Sequence, residues 1–271
     1  MKYMTFNSSC AYAGVANMLE QYGVDTTDRA IAMAMKLPYL FSYEDGVYLA
    51  GPMLQSAQWF NLYLNTIGFE MIENEVPAEQ VPAYLKRQKS AMIGLQVDGG
   101  GKHAVMYTGI RDFKLQFINN KWENTDAPEE ISLSESELIS QIGSSAMIAT
   151  LNPVPVKSVD LMSKTRASVA VIRQNLWEIQ DVCSRKEPVG QLRSRLNTLF
   201  RPLFLEVVTM LNLIDEATLA NRFASIQRSF LNAIRQDANI KITLADYLNM
   251  NEFADAVAAY IHLIEEAVCT P

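Results

Sequence analysis

The sequence predicts an α+β domain followed by an all-α bundle. Three observations carry this expectation. Apolar residues recur at helical spacing over the first 88 residues, then form short continuous or alternating runs between residues 90 and 151. A stretch with two prolines, LNPVPVKSVD (151–160), reads as a linker. Beyond it every apolar stripe is helical again. Helices first and a mostly antiparallel sheet second make an α+β plan, so the expected domains are 1–152 and 153–271.

Each element follows in order. In CAYAGVANMLEQYG, Val15, Met18, Leu19 and Tyr22 mark one helical face, and Gly23 stands where a C′ glycine would end the helix. Asp25-Thr26-Thr27-Asp28 can cap a second helix reaching about Met35. LPYLFSYEDGVYLAGP (37–52) reads as an aromatic loop, residues 53–66 as a third helix, and 77–88 as a short helix. SAMIGLQVD (90–98) is a buried strand followed by Gly99-Gly100-Gly101. HAVMYTGI and LQFINN form a hairpin with a tight turn around Asp112-Phe113. Residues 129–143 are expected to be helical and 144–151 a last strand. In the second domain, stripes such as Val169-Ile172-Leu176-Ile179 and Phe253-Val257-Tyr260-Ile264 predict four amphipathic helices in an antiparallel bundle.

Composition narrows the function classes. The chain has 271 residues, 49 % hydrophobic and 20 % charged, an ordinary globular balance. The net charge is −7. Residues up to Pro155 hold 17 acidic and 10 basic side chains, whereas 13 of each follow, so the first domain carries the excess. That disfavours a nucleic-acid or anionic-membrane partner and suits a neutral or cationic substrate. No apolar run is long enough for a membrane span or a secretory signal, so a cytoplasmic setting is expected. Three scattered cysteines and two histidines give neither a disulfide framework nor metal-ligand spacing, and no phosphate-binding fingerprint is present, so no metal and no cofactor is expected. The 13 methionines read as core filler, although Met-lined grooves also bind acyl chains.

Chemistry centres on three residues. Cys10 follows Ser8 and Ser9, either of which can cap the helix, so its thiol would lie where unpaired N–H groups and the helix dipole favour a thiolate. A free cysteine is also ordinarily a small buried hydrophobe. His103 enters a strand just after a glycine run, whereas His262 lies on a bundle helix and reads as structural. The hairpin returns Asn119 beside His103, as an amide that orients an imidazole must be.

The residues then resemble a family. CAYAGVANMLEQYG looks like the cysteine motif of papain-like peptidases of the bacteriocin-processing, ABC-transporter-associated type. KHAVMYTGIRDFKLQFINN looks like their histidine motif, and both are similar to the N-terminal domain of butirosin-type acyltransferases. The likeness spans about residues 5–150. It implies a papain-like fold, with Cys10 as nucleophile, His103 as general base and acid, and Asn119 as orienting residue. Such enzymes place an oxyanion glutamine about six residues before the cysteine, where this chain has Met4; Asn7 is the substitute on offer, beside the Cys10 N–H.

Three readings follow. The first is a cysteine peptidase or amide hydrolase acting through an acyl-enzyme. The second is an acyltransferase passing an acyl group from a thioester donor, such as a carrier protein, to an amine. The third, which Met4 favours, is a binding protein on the same fold without turnover. The bundle could cover the cleft, present a carrier, or pair two copies through a leftover apolar face.

Overall fold

The computed structural model describes residues 4–6, 9–96, 102–120 and 129–269. They form two compact units, one of residues 1–35 and 55–159, the other of 36–54 and 160–271. This differs from a single cut at 152/153 in two ways. After the strand that ends at Pro153, Val154 N–H bonds Gly68 O and Lys157 N–H bonds Asn65 O, both at 2.9 Å, which keeps the expected linker on the first unit. The segment 36–54 leaves the first unit altogether.

The chain opens with α1 (Ala11–Glu20) and α2 (Asp28–Ala34). It then makes the hairpin β1 (Phe41–Glu44) and β2 (Val47–Ala50), where a loop was expected. Asp45 and Gly46, at φ +50° and +81°, form its turn, the Asp-Gly signal of a tight hairpin. The first unit resumes with α3 (Ala57–Leu64), β3 (Phe69–Pro77), α4 (Val81–Leu85), β4 (Ala91–Gln96), β5 (Lys102–Arg111) and β6 (Lys114–Asn119). It ends with β7 (Glu129–Leu133), α5 (Glu135–Ile142) and β8 (Ser145–Pro153). The helix expected over 129–143 is thus half strand. Its true start is set by Ser134 and Glu137, which form a reciprocal capping box.

These strands build a six-stranded antiparallel sheet in the order β3-β8-β4-β5-β6-β7. Strand alternation assigns its two faces. Ile93, Leu95, Val105, Tyr107, Leu115 and Phe117 share a core with Leu138 and Ile142 of α5 and with Val81 and Leu85 of α4. Met92 pairs with Met106 and Gly94 with Ala104 on the opposite face, and that face receives α1.

The second unit continues with α6 (Leu161–Cys183), β9 (Lys186–Pro188), α7 (Val189–Ser194), α8 (Val207–Leu213), α9 (Ala217–Ile234), β10 (Lys241–Thr243) and α10 (Met250–Cys269). The second expected helix is broken into α7, two π-helical turns (Leu196–Phe200 and Pro202–Glu206) and α8. Pro202 has no N–H to give the regular ladder, and buried Asn175 braces this stretch by donating to Leu199 O at 2.9 Å. Phe204 stacks on Phe230 and Phe253 with ring centroids 4.4 and 4.8 Å apart. The β1–β2 hairpin belongs to this core: Phe41 N–H bonds Ser168 Oγ at 2.8 Å, and the Tyr260 hydroxyl donates to Pro38 O.

The β5–β6 turn holds Phe113 at φ +61° with its side chain 99 % exposed. A bulky residue there is strained and recovers nothing by burial. Phe113→Gly is therefore expected to stabilise the protein by about 1 kcal/mol, read as a higher denaturation midpoint in urea; an unchanged or lower midpoint would contradict the strain.

Candidate functional site

Three anchors hold the chain as it enters α1. Thr5 donates its hydroxyl to the Asp28 carboxylate at 2.7 Å, and its backbone N–H donates to the same group. Phe6 is buried edge-on against Tyr12 at 5.4 Å, and Tyr12 in turn meets Phe60 at 4.8 Å. Ser9 is fixed on both sides of its hydroxyl, which accepts the Ala11 N–H at 3.2 Å and donates to Gln55 Oε1 at 2.6 Å. Ser9 is not the expected N-cap: Cys10 holds that position without a side-chain cap, and Ser9 accepts the Ala11 N–H from one residue further out, while Ser8 lies outside the described residues.

Cys10 directly precedes the first helical residue and is half-buried. Its sulfur accepts the Ala104 N–H at 3.3 Å. The β5–β6 ladder ends one residue away, at Val105 opposite Asn119. Burial pushes the Cys10 thiol up, and the N–H groups of Ala104 and of Cys10 itself only partly oppose it. The lowered pKa expected of a helix start is therefore not met: desolvation outweighs the local donors.

His103 is exposed and lies opposite Leu95, on the face of Val105 and Tyr107. Asn119, opposite Val105, shares that face and is 4 % exposed. Its Nδ2 donates to Glu129 Oε2 at 3.1 Å, and its buried Oδ1 has no partner among the described residues. The hairpin does bring His103 and Asn119 to one face as diagonal neighbours. Cys10, just before α1, meets the strand end from the other face. Asn7 lies outside the described residues, as do Gly99, Gly100 and Gly101.

Three further polar groups belong to the α1 stripe or to the residue before Cys10. Asn17 lies seven residues after Cys10 on the same stripe of α1. It donates from Nδ2 to Asn120 Oδ1 at 2.7 Å, and both side chains are 1 % exposed. Asn120 Nδ2 has no partner among the described residues and lies 3.8 Å from where a Cβ on Gly14 would stand, between Asn17 and Cys10 along the helix. The doublet Asn119-Asn120 at a strand end carried the signal, since alternation sends one amide to each face. Gln55 is the third, and nothing in its local sequence connects it with Ser9.

No family model matches this chain, and no curated protein matches it. Among solved structures, the chain is similar to the peptidase domain of Streptococcus ComA, a bifunctional ABC transporter involved in quorum sensing. That likeness has a TM-score of 0.37 at 13 % identity, and it covers 56 % of this chain and 96 % of the other. Among the described residues, no helix is long and apolar enough to cross a membrane.

Two outcomes test this geometry. Asn17→Ala deprives the buried Asn120 carbonyl of its donor and is expected to cost about 1–3 kcal/mol in chemical denaturation; a loss below the error of the fit would contradict the pairing. In the free protein, Cys10 is expected to react with iodoacetamide more slowly at pH 7.5 than the exposed Cys269, and to gain reactivity as pH rises past the ordinary thiol midpoint of about 8.5. Buried Cys183, with its thiol pushed up to about 12, stays silent. Peptide mapping by mass spectrometry separates the three.

Proposed function

We propose that the first unit is a thiol-dependent acyl-transfer module on a papain-like plan, a cysteine peptidase or amide hydrolase in which Cys10 is the nucleophile. The observation that carries this is the Cys10 sulfur at the start of α1, held against the N–H of the residue next to His103. Sulfur attack on an amide carbonyl forms an S–C bond and passes the thiol proton to the His103 imidazole. The imidazole returns that proton to the departing amine, and water then cleaves the thioester. Because burial disfavours a free thiolate, the imidazole must take the proton as attack occurs.

His103 is the second residue of β5 and pairs regularly with Leu95, so a one-residue bulge formed at that end on substrate binding would turn it to the α1 face and leave the later ladder intact. On that face the amide alongside is Asn120; on the present face it is Asn119. A thioester donor would form the same acyl-enzyme, and the acidic first unit suits a cationic amine as acceptor in place of water. The present facing of His103, together with the raised thiol, favours a second reading, a module that binds peptides or acyl groups without turnover.

An activated ester separates these readings. With p-nitrophenyl acetate, the wild-type chain is expected to release a burst of about one p-nitrophenol per chain. The burst should vanish in Cys10→Ala and slow by about 10²-fold or more in His103→Ala. An acetyl adduct on Cys10 that clears faster with added amine marks acyl transfer. No wild-type burst points to the binding reading, and an unchanged burst rate in His103→Ala removes His103 from the mechanism.

A further inference from the structure

Attack by the Cys10 sulfur would place negative charge on the carbonyl oxygen, and acyl transfer is fast only where positioned donors meet that charge. One donor is at hand: the Cys10 N–H lies against its own sulfur and opposes the rise in thiol pKa. A backbone group alone is half of such a site. The second donor must come from a side chain held at the start of α1, and the described residues offer one whose orientation is fixed.

We propose that Gln55 supplies it, through its side-chain Nε2–H; this rests on the acyl-transfer reading of Cys10. The Gln55 carbonyl oxygen is committed to the Ser9 hydroxyl at 2.6 Å, one residue before the nucleophile. Ser9 is locked in turn, because its own oxygen accepts the Ala11 N–H. An amide anchored through its oxygen keeps both N–H bonds as donors, and the one anti to the carbonyl points away from the anchor. Among the described residues nothing accepts from them, and the Gln55 side chain is exposed, so a substrate oxygen can reach it. The bond spans 46 residues and joins the segment before α3 to the turn before α1. Simple capping does not require it, since Ser9 needs no acceptor to receive the Ala11 N–H. What the bond does add is a neutral amide donor tied to the residue next to Cys10 in the chain. A carboxylate in its place would keep the contact to Ser9 and oppose an oxyanion.

The test compares two reactions of the same sulfur. Acylation by p-nitrophenyl acetate forms the S–C bond while the carbonyl electron pair moves onto oxygen. Collapse then expels p-nitrophenolate, and the thiol proton goes to His103 or solvent. Alkylation by iodoacetamide displaces iodide at a CH₂ carbon and creates no oxyanion. Gln55→Ala and Gln55→Glu are therefore both expected to slow acylation of Cys10 by about 10²-fold, with alkylation at pH 8.5 within about threefold of wild type. Gln55→Glu retains an acceptor for Ser9, so a merely structural Gln55 would leave its acylation near wild type, and that result overturns the proposal. Equal losses in acylation and alkylation overturn it as well, since they mean that the sulfur itself was displaced. So does a full acylation rate in Gln55→Ala combined with a loss in Asn7→Ala, which would assign the donor to Asn7. If wild type does not acylate while Cys10 still alkylates, the acyl-transfer reading fails and takes this role with it; acylation that survives in both Gln55 variants rejects Gln55 alone.

Discussion

Helix α1 rests on the sheet through Gly14, where an added Cβ would stand 2.6 Å from the Met92 sulfur. That close approach sets the position of everything polar on this face. Cys10 lies one turn before the glycine and Asn17 about one turn after it, so all three ride the same stripe of the helix. With the helix this near, the thiol meets the Ala104 N–H at the end of β5, and Asn17 meets the amide of Asn120. A side chain at position 14 would force Met92 to move aside or the helix to shift, and overpacking of this kind costs about 1–3 kcal/mol.

The same closeness explains why the thiol is not ready-made as a thiolate. Desolvation by the sheet opposes ionisation more strongly than two backbone N–H groups favour it. A cysteine in this setting is chemically quiet until a base shares its proton. The amide group of Asn120, unpartnered among the described residues, is the complementary feature, since a buried donor without an acceptor costs stability. If Cys10 acts as the nucleophile proposed above, this polar stripe along α1 is where its supporting groups lie.

Much of the fold was legible. The Cys10–Tyr22 stripe and Gly23 gave α1 and its end, and Asp112-Phe113 gave the β5–β6 turn. What escaped has specific causes. Strand β3 (FEMIENEVP) carries four polar residues among its nine and earns its place by pairing with β8, a contact 60 or more residues away. EEISL reads equally as a helix start or as an edge strand, and only β6 beside it decides. The DG turn of β1–β2 was a local signal hidden among aromatics. Around the proposed site, the nearness of His103 and Asn119 was readable from the hairpin. The face each presents was not, because one residue of register reverses it. Gln55 was invisible for a different reason: its link to Ser9 exists only in three dimensions.

The excursion of residues 36–54 out of the first unit makes that unit discontinuous in the chain. A fragment cut after Pro153 would carry β1 and β2 without the core they serve, leaving Phe41, Tyr48 and Ala50 uncovered in the middle of its sequence. During synthesis the leading unit must close its sheet around a loop whose own partners are still unmade. The two units are thus stitched by topology: neither is a contiguous segment, and the last helix must emerge before the residues just after α2 have anywhere to go.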